Sequence, residues 1–219
     1  MRGKWAAGIP PRNFTWIIKD HLAVSERPGG SAPNHRRVRR QEEIIWLRVQ
    51  GFSRVVSMLP SPHNLAAYDE GDLPSSHFPL GPGIDTQVTL ADLYGQLDGW
   101  LASDERVLVH QEELGDRVMG VVAGYLLWSG RLPAGPQAIA VTERLVGRQM
   151  GPPGRDLVAS VVAIGHSAHG SRTARSPSGF ADVAEAQVEA DSDVAGIDAA
   201  PGPGAEPEVA GGGRGDLGA

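Results

Sequence analysis

The segment best suited to chemistry is a loop that opens with His110 and closes with Arg117. An apolar run at residues 107–109 precedes it, and a second apolar run begins at Val118. A loop between a strand and the N-terminus of a helix gathers backbone N–H groups around an anion, and the helix dipole favours negative charge there. An arginine at the end of such a loop can hold two phosphate oxygens in a bidentate fork. A loop in this position, closed by an arginine, therefore favours an anionic ligand.

Three carboxylates complicate this interpretation, since the same loop contains Glu112, Glu113 and Asp116. A phosphate about 4 Å from one carboxylate near a protein surface would be repelled by about 4 kcal/mol. Acidic residues in the first turn of a helix instead stabilise its dipole by about 0.3–1 kcal/mol each. The residues alone leave two hypotheses open, a working ligand loop and a structural remnant.

The same carboxylates, together with His110, are able in principle to form an oxygen-rich metal site. A glutamate can also act as a carboxylate nucleophile. Adjacent glutamates seldom converge on one ion, and the sequence shows no set of magnesium ligands beside them. We expect no metal and no cofactor, and we keep carboxylate or metal-water hydrolysis as an alternative.

The elements that position this loop alternate between strands and helices. Short β-branched or apolar runs predict strands at residues 14–18, 52–59, 77–80 and 107–109. Helical spacing of apolar residues predicts helices at residues 40–50, 90–101, 118–129, 136–146 and 156–164. Thr89 and Asp92 fit a capping box at the start of the second helix. This alternation predicts an α/β fold with a central, mostly parallel sheet flanked by helices.

The domain organisation follows from composition. Residues 1–12 are expected to be a flexible N-terminus, and residues 13–166 one domain. Residues 167–219 are rich in Ala, Gly, Pro and acids, and they are expected to be a disordered tail. Residues 176–219 carry nine acidic side chains and one arginine, a balance of −8. Because the whole chain carries −6, the remainder carries about +2, and neither a nucleic acid nor a membrane surface is expected as a partner.

Cysteine usage limits the chemistry further. The chain has no cysteine, which excludes disulfides, thiolate metal sites and a thiol nucleophile. Residues 1–12 lack the apolar core of a signal peptide, and the longest apolar run, residues 118–128, is too short to cross a bilayer. We therefore expect a cytoplasmic protein. Lys4 and Lys19 are the only lysines among many Arg, Ala, Gly and Val residues, a composition that hints at a bacterial source.

The loop resembles the His-Cys-X5-Arg loop of the cysteine-dependent protein tyrosine and dual-specificity phosphatases. His110 and Arg117 keep the family's spacing, and the resemblance extends over most of residues 13–165. It implies the phosphatase α/β fold, with the histidine supporting the loop from beneath. The candidate phosphate-loop residues are then His110, Gln111, Glu112, Glu113, Leu114, Gly115, Asp116 and Arg117.

This sequence departs from the family where the family does its chemistry. Gln111 occupies the position of the nucleophilic cysteine, which attacks phosphorus as a thiolate. Leu114 stands where the family usually has glycine, and Val118 replaces the hydroxyl residue that assists departure of the thiolate. Pro82 falls at the general-acid position, and Asp85, three residues later, is the nearest candidate acid. The resemblance therefore implies a degenerate phosphate loop and a pseudophosphatase.

Our leading hypothesis is a catalytically inactive, phosphatase-like regulatory module that binds a phosphorylated or acidic ligand, or a protein partner. One alternative is a hydrolase without a cysteine nucleophile. Another is an interaction protein with a vestigial pocket, whose contacts are made by the acidic tail or by the basic run at residues 35–40. That basic run is explained more simply as a solvated helix entrance, paired with Glu42 and Glu43 or contacted by the chain's own acidic tail.

Overall fold

The computed structural model of the protein describes residues 7–30 and 36–165. Within these residues the chain forms five strands and six helices. In chain order they are β1 (Thr15–Ile18), β2 (Leu22–Glu26), α1 (Arg36–Val49), β3 (Arg54–Ser57), α2 (Leu65–Asp69), β4 (Ser75–His77), α3 (Thr86–Ala102), β5 (Val107–Gln111), α4 (Asp116–Trp128), α5 (Gly135–Val146) and α6 (Pro152–Ile164). None of the described helices has the length and apolar character needed to cross a membrane.

The strands form one sheet in the order β1-β2-β5-β3-β4. Strand β5 pairs in parallel with β2 and β3, β4 is parallel to β3, and β1 is antiparallel to β2. Val107, Leu108 and Val109 are fully buried, as expected of a central parallel strand covered on both faces. The predicted mostly parallel α/β sheet is confirmed. Ligands of such sheets bind beyond the carboxyl ends of the strands, which is where the loop after β5 lies.

Each face of the sheet has its own hydrophobic core. Leu108 packs with Leu47 of α1 and with Tyr68, whereas Val107 and Val109 pack with residues of α3 and α4. Alternation along β5 sends neighbouring side chains to opposite faces, so one strand contributes to both cores. The strand that leads into the loop is therefore held from both sides.

Helices α4 and α6 approach each other through glycines. A Cβ atom on Gly120 would lie 2.5 Å from the carbonyl oxygen of Gly154. A Cβ on Gly154 would in turn collide with the carbonyl oxygen of Asp116. The two backbones thus meet with no side chain between them, and α6 abuts the first turn of α4, directly after the loop.

Several element boundaries differ from the sequence predictions. The predicted capping box at Thr89 and Asp92 is wrong, because α3 begins at Thr86 and its N-cap is Asp85. The Asp85 carboxylate accepts hydrogen bonds from the N–H groups of Gln87 at 3.0 Å and Val88 at 3.2 Å. The helix thus begins one turn earlier than its apolar spacing indicated.

Other differences concern short or polar segments. Helix α1 begins four residues earlier than predicted, β4 ends at His77 instead of beginning there, and the five-residue helix α2 was not predicted. The predicted tail at residues 167–219 and the first six residues lie outside the described part of the chain. Close to these first six residues, the N–H of Ile9 donates to the carbonyl of Glu42 on α1 at 3.4 Å.

Candidate functional site

The loop begins on a buried polar network beneath His110. The hydroxyl of Tyr68 lies 2.8 Å from His110 Nε2, and Asn64 Nδ2 lies 3.3 Å from that hydroxyl. His110 Nδ1 lies 3.3 Å from the carbonyl oxygen of Gln111. Because a carbonyl only accepts, Nδ1 carries the proton and Nε2 accepts from Tyr68. Helix α2 and its N-cap supply this support.

Burial keeps this network in its neutral form. It lowers the pKa of His110 to about 4 against the opposing effect of the hydrogen bond to the Gln111 carbonyl, and the positive charge of Arg27 adds a smaller lowering. Burial likewise raises the pKa of Tyr68 well above its usual range. At neutral pH the tyrosine therefore donates and the imidazole accepts.

This arrangement predicts an acid-sensitive fold. Since the pKa of His110 lies below its unfolded value of about 6.5, its contribution to stability is complete above that pH and is lost as pH falls towards 4. We expect His110 to cost the protein about 2 kcal/mol between pH 7 and pH 4.5. Urea unfolding at both pH values measures the loss. It should be smaller by that amount in His110→Gln.

His21→Gln is the matched control, because this side chain is 39% exposed and faces Asp104 at 3.6 Å. It should leave the acid loss of the wild-type protein unchanged. Equal acid losses in wild type and His110→Gln would show that the buried imidazole does not limit stability.

Gln111 closes the strand without offering a nucleophile. Its side-chain amide donates to the carbonyl oxygen of Met58 at 3.4 Å, and Met58 N–H donates to the His110 carbonyl at 2.9 Å. The side chain thereby joins the end of β5 to the segment after β3. A carboxamide engaged in this way is neutral and has no lone pair suited to attack on phosphorus.

Two of the three loop carboxylates are neutralised by arginines that lie far away in the sequence. Glu112 Oε1 lies 3.0 Å from an Nη atom of Arg27, whose side chain is only 6% exposed. On the other side of the loop, Asp116 Oδ1 lies 2.8 Å from an Nη atom of Arg148. Within the described part of the chain, Glu113 alone of the three has no ion pair. The repulsion expected between the loop and an anion is correspondingly reduced.

The middle of the loop is held by its backbone and by one buried side chain. Leu114 is 6% exposed and belongs to the core on the α3–α6 side. Its carbonyl accepts from Arg148 at 3.1 Å, and the Gly115 N–H donates to the Glu113 carbonyl at 2.9 Å. Among the described residues, the N–H groups of Glu112, Glu113 and Leu114 donate to no protein acceptor. The loop thus keeps open donors, although the N–H of Gly115 is already used.

Arg117 lies at the exit of the loop, in the first turn of α4. Its side chain is exposed and lines a cavity of about 210 Å³. Leu80, Gly81, Thr86, Pro153 and Leu157 form the remaining walls of this cavity. Over residues 7–30 and 36–165, no carboxylate forms an ion pair with this guanidinium. It is a cation beside largely uncharged walls.

The other candidate positions have structural surroundings. Val118 is fully buried in the core. Pro82 is exposed in the turn before α3, and the Asp85 carboxylate is occupied in capping that helix. As arranged, neither Pro82 nor Asp85 presents a proton donor to the loop.

The carboxylates are dispersed instead of converging. Glu112 and Asp116 turn to different arginines, and the described residues contain no group of three His, Asp or Glu side chains placed to hold a metal ion. The two arginines that pair with the loop were not predicted from the sequence. Arg27 follows β2 directly, so its place at the carboxyl edge of the sheet was the available signal.

Comparison with known proteins supports the fold through structure alone. No protein-family model and no curated protein sequence matches the chain. Kinase-associated phosphatase, solved with serine in place of its catalytic cysteine, superposes with a TM-score of 0.57 at 19% identity, over 68% of this chain and 93% of that one. Tk-PTP in its active form gives 0.54 at 16% identity, over 68% and 95%. Human DUSP28 gives 0.50 at 15% identity, over 71% and 96%. The chain has the fold of tyrosine and dual-specificity phosphatases.

Proposed function

From this phosphatase fold, we propose that the protein is a non-catalytic binder of phosphorylated ligands. The phosphate would lie against the loop after β5, held by the Arg117 guanidinium and by open loop N–H groups. The observation that carries the proposal is how the charged side chains in and beside the loop are paired. Arg117 is exposed without a carboxylate partner among the described residues, while Glu112 and Asp116 are each paired with another arginine.

The absence of catalysis follows from the residues at three positions. Gln111 supplies no thiolate, and its amide is hydrogen-bonded to Met58. Val118 has no hydroxyl, and the general-acid position is Pro82. Covalent phosphoryl transfer needs a nucleophile and a proton donor for the leaving group, so this loop can hold a phosphate without cleaving it.

Binding depends on the balance of charge around the loop. A phosphate that approaches Arg117 meets one uncompensated carboxylate, Glu113, instead of three. Charge-assisted hydrogen bonds contribute about 1.5–3 kcal/mol each, and open N–H groups near a helix N-terminus add to them. Loss of the Arg117 guanidinium should therefore weaken the affinity for phosphate tenfold to hundredfold.

The experiment is calorimetric titration of tungstate, a phosphate mimic that needs no cysteine, into the full chain. We expect wild type to bind and Arg117→Ala to bind at least tenfold more weakly. Arg144→Ala is the matched control, since Arg144 is exposed on α5 and pairs with no loop residue among those described, so its loss should leave the affinity unchanged.

Turnover of para-nitrophenyl phosphate by the same preparations completes the test. Wild type should show none. Turnover that Arg117→Ala abolishes would identify an enzyme and contradict the proposal. Equal tungstate affinity in wild type and Arg117→Ala, or no binding by either, would identify a vestigial pocket.

A further inference from the structure

Helix α1 has an apolar stripe on its solvent side. Val38, Ile45 and Val49 are 63%, 44% and 57% exposed. Spacings of seven and four residues place all three on one face of a helix. The remaining large apolar residues exposed among those described, Val88 and Val162, lie singly on other helices.

This stripe is additional to the face that anchors α1. Ile44 and Leu47 are buried against the sheet, so the helix already has its core contact. Arg37 and Arg48 follow one flank of the stripe, and the ion pair of Arg48 with Asp72 is long, at 3.5 Å, and exposed. Exposed pairs of this kind contribute little and exchange partners easily. The surface is therefore aliphatic with a basic margin, and the half-buried Glu42, one turn after Val38, is the acidic residue within it.

The chain itself contains a segment of complementary character. Residues 180–198 interleave Phe180, Val183, Val188, Val194 and Ile197 with six carboxylates and contain no basic residue. An acidic chain with interspersed apolar residues suits an aliphatic stripe that has a basic margin.

The connecting chain is long enough to reach α1. Residues 166–179 span at most about 50 Å when extended, at roughly 3.3–3.6 Å per residue. A domain of this size has a radius of gyration of about 15 Å, so the segment can pass from the end of α6 around the sheet. Tethering also gives it a millimolar-range effective concentration at the surface.

We propose that residues 180–198 dock on the solvent side of α1. Their apolar side chains cover Val38, Ile45 and Val49, and their carboxylates pair with Arg37 and Arg48. This contact is independent of the phosphate loop, which lies at the carboxyl edge of the sheet.

The test uses the absence of cysteine from the chain, because two introduced thiols are then the only ones. The test protein is the full chain with Val49→Cys and Val188→Cys, and the control is the full chain with Val162→Cys and Val188→Cys. Val162 is 72% exposed and only 26 residues from Val188, so an undocked tail would favour the control pair. Disulfide formation under a mild oxidant is followed on non-reducing gels.

We expect the α1 pair to form its disulfide within the monomer at least tenfold faster than the control pair. High salt, or amide replacements of Glu185, Glu189, Asp191 and Asp193, should slow it several-fold because charge directs the contact. A control pair that reacts as fast would overturn the proposal. So would disulfide-linked dimers as the main product, since these would assign the stripe to a second copy.

Discussion

Gly120→Ala is expected to destabilise the domain by about 3 kcal/mol, a large part of a typical folding free energy of about 5–15 kcal/mol. The new Cβ would lie 2.5 Å from the Gly154 carbonyl oxygen and 2.7 Å from the Gly154 Cα. Both contacts are with backbone, so no side chain can rotate away and α4 and α6 must separate. Core overpacking of this kind outweighs the gain of about 1 kcal/mol from replacing a helical glycine. Urea unfolding followed by circular dichroism measures the change.

Gly99→Ala is the matched control for this prediction. Gly99 lies inside α3 and is exposed, and a Cβ atom added to it would meet no atom of the described residues within 4 Å. The same substitution should therefore stabilise the protein by up to about 1 kcal/mol through helix propensity alone. If Gly120→Ala were neutral or stabilising, the close approach of α4 and α6 would be wrong.

Gln111→Cys is expected to create a thiol whose pKa is well below the usual value of about 8.5. The residue ends β5 directly before the N-terminus of α4, where the helix dipole, open N–H groups and Arg117 all favour a thiolate. Because the chain has no other cysteine, the pH dependence of iodoacetamide alkylation reports this one thiol. With para-nitrophenyl phosphate, the variant should release about one equivalent of nitrophenolate and then stall. Neither Val118 nor Pro82 helps the phosphorylated thiol to turn over.

Ser103→Cys provides the comparison, since Ser103 is exposed at the C-terminal end of α3, where the dipole opposes a thiolate. Its alkylation should follow an ordinary or raised pKa, with no burst of nitrophenolate. An ordinary thiol pKa at position 111 would mean that the loop no longer concentrates positive potential. Sustained turnover would mean that the proton donor and the hydroxyl are dispensable here.

The fold was predictable where one strand or helix contains its own signal. The continuous apolar run at residues 107–109 predicts a strand covered on both faces, and the all-round apolar run after Arg117 predicts a central helix; both are confirmed. Helix α2 was not predicted because a segment of five residues is too short to show a helical period. The N-cap of α3 was misplaced because Thr89 and Asp92 match the capping pattern as well as any residues nearby, while Asp85 caps alone.

The sequence predicted where the site lies in the chain but not how its charges are paired. The spacing from His110 to Arg117 is local, so it can be recognised from the sequence. Its charge state depends on Arg27 and Arg148, which reach the loop because of the strand order and the position of α5. Contacts between elements far apart in the chain leave no periodic pattern, and the sequence therefore overstates how acidic the loop is in its surroundings.

The burial of Leu114 in the loop and of Val118 directly after it has a consequence for any attempt to build a hydrolase on this chain. Leu114 is 6% exposed and Val118 is fully buried, so both side chains fill the hydrophobic core. Leu114→Gly would remove a buried aliphatic side chain, at a cost of about 2 kcal/mol or more, and Val118→Thr would bury a hydroxyl in an apolar core, at a cost of about 1–3 kcal/mol. A variant that combined these changes with Gln111→Cys would carry both losses of stability, whatever it gained in turnover. Core packing and hydrolytic chemistry therefore place opposing demands on positions 114 and 118.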